Sequence, residues 1–235
     1  MRFVTVASSD QKPELRYLLD SCDHFNIQMD LVGLGRPYLG NGSKIVYLSQ
    51  YLSNLPPDEV VLFTDAYDSF FVKPVDELEA YFRSLNHPLV MTAEDNFYFR
   101  ITSPKKLFLN RWVLWNYPKS NSIYPAYRYL NSGGFIGYAG HILSLFEGLK
   151  IDKTMYSDQP KLHRHFLKHP EDITLDYNHH IFTIYGKHAT DETFKVRSEQ
   201  LTNENTGSNP YIFHFPGKIH RGLDNFASQF SFIKS

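Results

Sequence analysis

The feature that most constrains the fold is an apolar run that ends in two carboxylates. Residues 60–63 are all hydrophobic, and Asp65 and Asp68 follow them closely. A continuous apolar run between proline-containing segments is typical of a central strand that is covered on both faces. Ligands in open α/β sheets bind beyond the carboxyl ends of such strands, so we expect both aspartates in a crevice, where their oxygens suit Mg²⁺ or Mn²⁺. A turn with solvated or helix-capping aspartates is the alternative.

The bulk composition is that of one folded α/β domain. Of the 235 residues, 42% are hydrophobic, which is enough for one large core, so residues 1–235 are expected to form a single domain. The formal net charge is -1. Such a chain has no global field that attracts nucleic acid or an anionic membrane, and any polyanionic partner would need a local site.

The sequence shows no recognisable signal peptide or membrane-spanning stretch. The apolar stretch after Arg2 is too short for a signal peptide, and no later stretch has the length of a bilayer. Cys22 is the only cysteine, which excludes an internal disulfide and favours a reducing compartment. We therefore expect a cytoplasmic protein with no membrane partner, and nucleic acid is not an expected partner.

Strand patterns and helix patterns alternate along the chain. Alternation of this kind predicts a mostly parallel sheet flanked by helices. The polar residues 191–210 are expected to form an exposed loop. Trp112 and Trp115 lie in an aromatic stretch with no clean period, and both are expected to pack in the core, with a sugar-stacking wall as the alternative. The expected strands lie at residues 3–7, 29–34, 60–63, 88–93 and 181–184, and the expected helices at 13–21, 75–85 and 141–149.

Three further residues carry open alternatives. Lys44 ends a glycine-rich segment at residues 33–44, which can approach a phosphate although it lacks the Walker spacing. Lys44 is thus either a phosphate contact or a solvated residue of the next helix. Asp158 lies at a helix start and is either a cap or a catalytic carboxylate. His214 is at a strand end, where a lone histidine is usually structural.

Eight short segments occur in a familiar order, and together they resemble the glycosyltransferase domain of the procollagen lysyl hydroxylases. The most specific are FTDAYD at residues 63–68 and LNSGGFIG at residues 130–137. The resemblance covers nearly the whole chain. It implies a GT-A fold, with a Rossmann-like, mostly parallel central sheet flanked by helices. It also implies a UDP-sugar donor, UDP-glucose or UDP-galactose, and Mn²⁺.

The resemblance also implies roles for individual residues. Asp65, Asp68 and His214 match its metal ligands. The implied catalytic residues are Asn131, Asp158 and Gln159. The implied donor-binding residues are Thr5, Ala7, Ser8, Lys44, Asp65, Tyr67, Gly217 and Lys218. The acceptor is expected to be a hydroxyl group of a protein, a glycan or a small molecule, such as hydroxylysine or galactosyl-hydroxylysine in a collagen-like protein.

Two other functions stay open at this point. A phosphoryl-transfer enzyme of the haloacid-dehalogenase kind also has an aspartate at the end of an apolar strand, but Tyr67 occupies the position of its second aspartate. The second is a sugar-nucleotide-binding protein without turnover. The family has an acidic run of which this chain keeps only the two ends, Asp152 and Asp158, and that loss permits this alternative. A homodimer is compatible with the aromatic surplus between Asn96 and Tyr127.

Overall fold

The computed structural model describes residues 1–98, 104–217 and 222–234. Its strands are β1 Arg2–Val6, β2 Met29–Val32, β3 Val60–Thr64, β4 Ser69–Phe71, β5 Leu89–Glu94, β6 Tyr129–Tyr138, β7 Thr174–Asp176, β8 Phe182–Ile184, β9 Phe194–Arg197, β10 Gln200–Asn203 and β11 Ile212–His214. Its helices are α1 Leu15–His24, α2 Asn41–Leu52, α3 Leu78–Ser84, α4 Pro104–Asn116, α5 Ala139–Leu149, α6 Gln159–Lys168 and α7 Leu223–Ala227.

The largest sheet in the described residues has six strands, in the order β2-β1-β3-β6-β5-β7. Five of its strands run in one direction, and β6 runs antiparallel to its neighbours β3 and β5. The predicted mostly parallel sheet is therefore confirmed. Because β6 runs the other way, its first residues lie at the same edge of the sheet as the carboxyl ends of β3 and β5.

The apolar run that ends in two carboxylates is β3, the third strand of that sheet. All of its residues are buried. Val61 and Phe63 belong to the hydrophobic cluster on one face, together with residues of α2, α5 and α6. Val60 and Leu62 belong to the cluster on the other face, with residues of α1 and α3. Coverage of both faces explains why the strand shows no alternation of polar and apolar residues.

A second, three-stranded sheet in the order β4-β11-β8 lies beside the carboxyl end of β3. Strand β11 runs antiparallel to β4, with His214 opposite Ser69, and parallel to β8. The backbone N–H of Phe215 donates to the carbonyl oxygen of Asp68 at 2.7 Å. This pairing fixes the end of β11 against the turn that follows β3.

Two sequence predictions are wrong. Residues 191–210 contain the antiparallel hairpin β9 and β10, whose Phe194 and Leu201 are buried in a third hydrophobic cluster. Trp112 and Trp115 do not pack in the core, because α4 turns Val113 inward and leaves the two indoles 44% and 88% exposed. Apolar residues lie on all sides of α4, so its sequence does not reveal which side is buried. Among the described residues, no helix has the length and apolar character needed to cross a membrane.

The third cluster allows a test of packing energetics. The Phe213 ring is fully buried, with centroids 4.3 Å from Phe215 and 4.7 Å from Phe194. Phe213→Ala is expected to lower the free energy of unfolding by about 3–5 kcal/mol, measured by urea denaturation. The matched control, Phe108→Ala, removes a ring that is 72% exposed and is expected to change it by less than about 0.5 kcal/mol. Similar losses in the two variants would contradict this account of the core.

Candidate functional site

Three side chains with metal-ligand chemistry meet at the carboxyl edge of the large sheet. Asp65 and Asp68 lie between β3 and β4, and His214 ends β11. One ligand atom from each lies within 4.8 Å of the others. Nε2 of His214 is 3.8 Å from Asp65 Oδ2 and 3.6 Å from Asp68 Oδ1. These distances are too long for hydrogen bonds, and the described residues offer neither ring nitrogen a hydrogen-bond partner.

This donor set fits a divalent cation. Carboxylate oxygens and an imidazole nitrogen are common ligands of first-row divalent metals. The His214 ring is buried, and a buried polar atom without a partner is unfavourable. A cation between Asp65, Asp68 and His214 would satisfy that nitrogen and relieve the repulsion between the carboxylates. The structure thus brings together the three residues that the sequence predicts as ligands.

Gly133 provides the space that two of these side chains, His214 and Asp65, occupy. A Cβ atom at Gly133 would lie 2.2 Å from His214 Cε1 and 2.7 Å from Asp65 Oδ2. Its carbonyl oxygen accepts a hydrogen bond from the Asp65 backbone N–H at 2.8 Å. The pairing of β5 with β6 also shifts register here, from Met91 opposite Phe135 to Thr92 opposite Asn131. This bulge carries the glycine backbone up to the acidic residues.

Lys44 is buried between two predicted site carboxylates. Its Nζ donates to Asp65 Oδ1 at 3.2 Å and to the carbonyl oxygen of Ser132 at 3.1 Å. It also lies 3.6 Å from Asp158 Oδ2. Burial alone would disfavour the ammonium, but the charges of Asp158 and Asp65 outweigh it and raise the pKa of Lys44. The solvated alternative for Lys44 is therefore excluded.

Asp158 is a fully buried carboxylate at the start of α6. It occupies the N-cap position of α6, but its side chain makes no hydrogen bond to the helix start, so its carboxylate does not cap the helix. Within the described part of the chain, neither of its oxygens has a hydrogen-bond partner. Its charged neighbour is Lys44, which ties the start of α6 to the end of β3 through Asp65.

Asn131 and Gln159 belong to a network around a residue that the sequence analysis did not assign to the site. Gln159 Nε2 donates to Glu94 Oε1 at 2.6 Å and to the carbonyl oxygen of Leu130 at 3.0 Å. Asn131 Oδ1 accepts the N–H of Gly133 at 2.7 Å. Burial raises the pKa of Glu94 to about 8, although the amides of Gln159 and Asn131 act in the other direction. Its position at the end of β5, like that of Asp65 after β3, is the signal that could have identified it.

A cavity of 660 Å³ opens in front of the acidic residues. The Tyr67 hydroxyl at its wall donates to the carbonyl oxygen of Ser9 at 2.9 Å, and Lys12 Nζ lies 4.2 Å from the centre of the Tyr67 ring. Residues that sequence reasoning missed also line the cavity, namely Lys12, Glu14, Tyr38 and Asn41. The predicted donor-binding or metal-binding residues that line it are Ser8, Lys44, Asp65, Tyr67, Asp68 and Gly217.

Two of the predicted donor-binding residues that the structure describes do not line this cavity. Thr5 is fully buried, and its hydroxyl donates to the carbonyl oxygen of Thr64 at 2.7 Å. Ala7 is fully buried in the cluster that contains α1. Both therefore support the strands next to the cavity. Lys218 lies outside the described residues, and its role stays a prediction.

Comparison with known proteins identifies related sequences. The model of the PLOD GT domain family matches residues 1–231. Procollagen-lysine,2-oxoglutarate 5-dioxygenase 2 of Mus musculus is 28% identical over 205 residues, which cover 80% of this chain and 25% of that protein. Procollagen-lysine,2-oxoglutarate 5-dioxygenase 1 of Bos taurus is 32% identical over 232 residues, which cover 91% of this chain and 29% of that protein. The chain thus spans only 25–29% of the length of these relatives.

Solved structures show the same fold at low identity. A glycosyltransferase involved in the glycosylation of the major capsid of PBCV-1 has a TM-score of 0.54 and 8% identity, over 97% of this chain and 98% of that one. Mouse xyloside xylosyltransferase 1 has a TM-score of 0.50 and 10% identity, over 92% of this chain and 97% of that one. The likeness concerns the fold alone, and it confirms the GT-A architecture that the sequence resemblance implied.

The raised pKa of Glu94 predicts a pH dependence of stability. The folded chain keeps Glu94 protonated between its ordinary pKa of 4.5 and about 8, where the unfolded chain has lost this proton. The Glu94 contribution to the free energy of unfolding is therefore fully present below pH 4.5 and is lost as the pH rises through about 8. At about 1.4 kcal/mol per pKa unit, the loss amounts to a few kcal/mol.

Urea denaturation of Glu94→Gln from acid to alkaline pH tests this prediction. The variant keeps an acceptor for Gln159 but does not titrate, so its stability relative to the native chain is expected to increase with pH. Glu147→Gln, which changes an exposed glutamate of α5, is the control and is expected to show no such trend. A constant difference between Glu94→Gln and the native chain would contradict the assignment.

The Gly133 contacts predict a strict requirement for glycine at this position. Gly133→Ala is expected to displace His214 and to weaken Mn²⁺ binding by about 10- to 100-fold, measured by isothermal titration calorimetry. Gly148→Ala is the matched control, because nothing lies within 4 Å of a Cβ atom built there. It is expected to bind Mn²⁺ normally and to stabilise α5 by up to about 1 kcal/mol. Equal Mn²⁺ affinities in both variants would contradict the role of Gly133.

Proposed function

The chain belongs to the family of PLOD glycosyltransferase domains, and we propose that it transfers a hexose, glucose or galactose, from a UDP-sugar to a hydroxyl acceptor with the help of Mn²⁺. The observation that carries this proposal is the meeting of Asp65, Asp68 and His214 beside a cavity of 660 Å³. A cavity of this size is in the range of small-molecule and cofactor sites. Family membership favours glycosyl transfer over phosphoryl transfer.

The proposed metal ligands lie close to one another, with one ligand atom of each within 4.8 Å of the others. Asp65, Asp68 and His214 would hold the ion, and a divalent ion there supplies positive charge against the diphosphate of the leaving UDP. The two carboxylate oxygens of Asp65 have different neighbours. Oδ1 accepts a hydrogen bond from Lys44 Nζ, and Oδ2 faces His214 Nε2. Lys44 therefore fixes the orientation of the carboxylate that the metal would use.

Donor binding is proposed for the cavity wall next to these ligands. Tyr67 is held by its hydrogen bond to Ser9, and the side chains of Ser8 and Lys12 lie at the same wall. Lys12 contributes a cation that no predicted role used. The polar groups around the cavity suit a nucleotide, whose phosphates need positive charge and whose sugar needs hydrogen bonds.

The proposed catalytic residues Asn131, Asp158 and Gln159 are buried, and none of them lines the cavity. A buried Asp158 paired with Lys44 supports an orienting role at the reaction centre more than that of a general base that takes a proton from the acceptor. Glu94 and Gln159 form a hydrogen bond next to Asn131, and this network would hold the Asn131 amide in place.

Release of UDP from UDP-glucose, UDP-galactose and other UDP-sugars tests the proposal, with Mn²⁺ and with chelator. We expect slow Mn²⁺-dependent release from one of the two hexose donors even without acceptor, and faster release with a hydroxyl acceptor such as a hydroxylysine peptide. UDP binding with no release under any condition would instead support the sugar-nucleotide-binding alternative.

Asp68→Asn links that turnover to the proposed metal site. The variant removes a charged ligand at the cavity and no core side chain, so we expect loss of Mn²⁺-dependent release with an unchanged circular dichroism spectrum. Asp58→Asn is the control, because Asp58 is exposed before the start of β3, at the end of the strand opposite the site. Full activity of Asp68→Asn would remove this residue from the site.

A further inference from the structure

Helix α4 presents an uncovered apolar surface. Phe108, Trp112 and Trp115 follow one another at helical spacing, so they lie on one side of the helix. All three are exposed, as is Leu109 beside them, and Ile123 in the following segment is exposed as well. We call Phe108, Leu109, Trp112 and Trp115 the α4 surface. Soluble proteins rarely expose neighbouring large apolar side chains without a binding role.

The opposite side of α4 is attached firmly to the domain. Val113 is buried in the main core, and Tyr117, which follows the helix, is buried with it. The Tyr117 hydroxyl accepts the N–H of Leu130 at 2.8 Å and lies 2.9 Å from His163 Nδ1 on α6. The helix is thus apolar on two sides, one of which packs against the protein. This is the arrangement expected of a helix that lies between a protein core and a second apolar phase.

The charged residues in the segment that contains α4 are all basic. Residues 96–146 contain six lysines and arginines and no aspartate or glutamate, in a chain whose net charge is -1. Of these cations, Arg111 is exposed on the same side of α4 as Trp112 and Trp115, and Lys119 is exposed just beyond the helix. Two exposed cations therefore border the aromatic and aliphatic side chains of the α4 surface, and residues 96–146 contain no acid.

We propose that the α4 surface binds the headgroup region of a membrane that contains anionic lipids, and that the domain attaches peripherally through it. Indole and phenyl rings partition into the interface between headgroups and acyl chains. Lysine and arginine side chains add attraction to anionic headgroups. The net charge of the whole chain does not predict binding to an anionic membrane, and the α4 surface would be a local site for it.

Other occupants explain less of the surface. A twofold-symmetric dimer through α4 would bring Arg111 of one copy towards the cationic surface of the other, with no acid in residues 96–146 to pair with it. A neutral glycan would account for stacking on Trp112 and Trp115 but not for the cations. Single-stranded nucleic acid would account for both, but not for the exposed Leu109.

The tryptophans provide a direct measurement. Trp112 and Trp115 are the only two tryptophans in the chain, so its indole fluorescence reports on α4 alone. On addition of phosphatidylcholine vesicles that contain phosphatidylserine, we expect the emission maximum to shift to shorter wavelengths and brominated lipids to quench it. Pure phosphatidylcholine vesicles are expected to give a much smaller shift, and added salt should weaken binding to the anionic vesicles. No shift with anionic vesicles would overturn the proposal.

Sedimentation with the same vesicles separates specific binding from general attraction. Replacing both Trp112 and Trp115 by alanine is expected to weaken partitioning by about tenfold or more, and Arg111→Glu is expected to weaken it on anionic vesicles. Arg197→Glu makes the same charge change at the exposed end of β9 and is expected to have little effect. Equal losses for Arg111→Glu and Arg197→Glu, or concentration-dependent dimers or RNA binding through α4 without vesicle binding, would also overturn the proposal.

Turnover of the donor keeps this proposal separate from the proposed function. The α4 variants change no residue that lines the cavity or contacts Asp65, Asp68 or His214. Their UDP release in solution, without vesicles, is therefore expected to equal that of the native chain, as is their circular dichroism spectrum. Loss of vesicle binding with normal turnover supports the proposal. Loss of both vesicle binding and UDP release, with a changed circular dichroism spectrum, would show that the exposed side of α4 is needed for folding, and it would overturn the proposal.

Discussion

The arrangement of the site depends on the buried ammonium of Lys44. It joins three parts of the chain, because it contacts Asp65 after β3, the Ser132 carbonyl in β6 and Asp158 at the start of α6. Removing one partner from a buried charge pair leaves the other without compensation, typically at about 3–5 kcal/mol. Neutralising Lys44 would leave Asp65 and Asp158 in that state. The positions of the site carboxylates are thus linked to one another through a single charged group that the fold encloses.

Most of the large sheet could be predicted because its strands carry strong local signals. The uninterrupted apolar run of β3 follows from coverage on two faces. The hairpin of β9 and β10 has no such signal, since its turn places Ser198 and Glu199 at positive φ where glycine or asparagine would be the usual indication. The exposure of Trp112 and Trp115 depends on which side of α4 finds a partner in the fold. That information is not present in the helix itself.

The order of motifs predicts the residues of the candidate site but not the contacts among them. The glycine-rich segment before α2 was interpreted as an approach to phosphate. In the structure, the N–H of Gly42 donates to the carbonyl oxygen of Met155 at 2.9 Å, and a Cβ atom at Gly42 would lie 2.0 Å from the Asp152 carbonyl oxygen. Gly40 and Gly42 thus let the start of α2 pack against residues 152–156. Glu94 escaped assignment because its partners come from β6 and α6, which are distant in sequence.

The reversed direction of β6 has a consequence for how this domain can vary. The connection from β5 to β6 begins after Glu94 and ends before Asn131, and Gln159 holds both ends, since its amide donates to Glu94 Oε1 and to the carbonyl oxygen of Leu130. Helix α4 lies within that connection. The length and surface of α4 are therefore not set by the hydrogen bonds that hold the two ends of the connection. Substitutions on the outer side of α4 can therefore change what the domain contacts without moving Glu94 or Asn131.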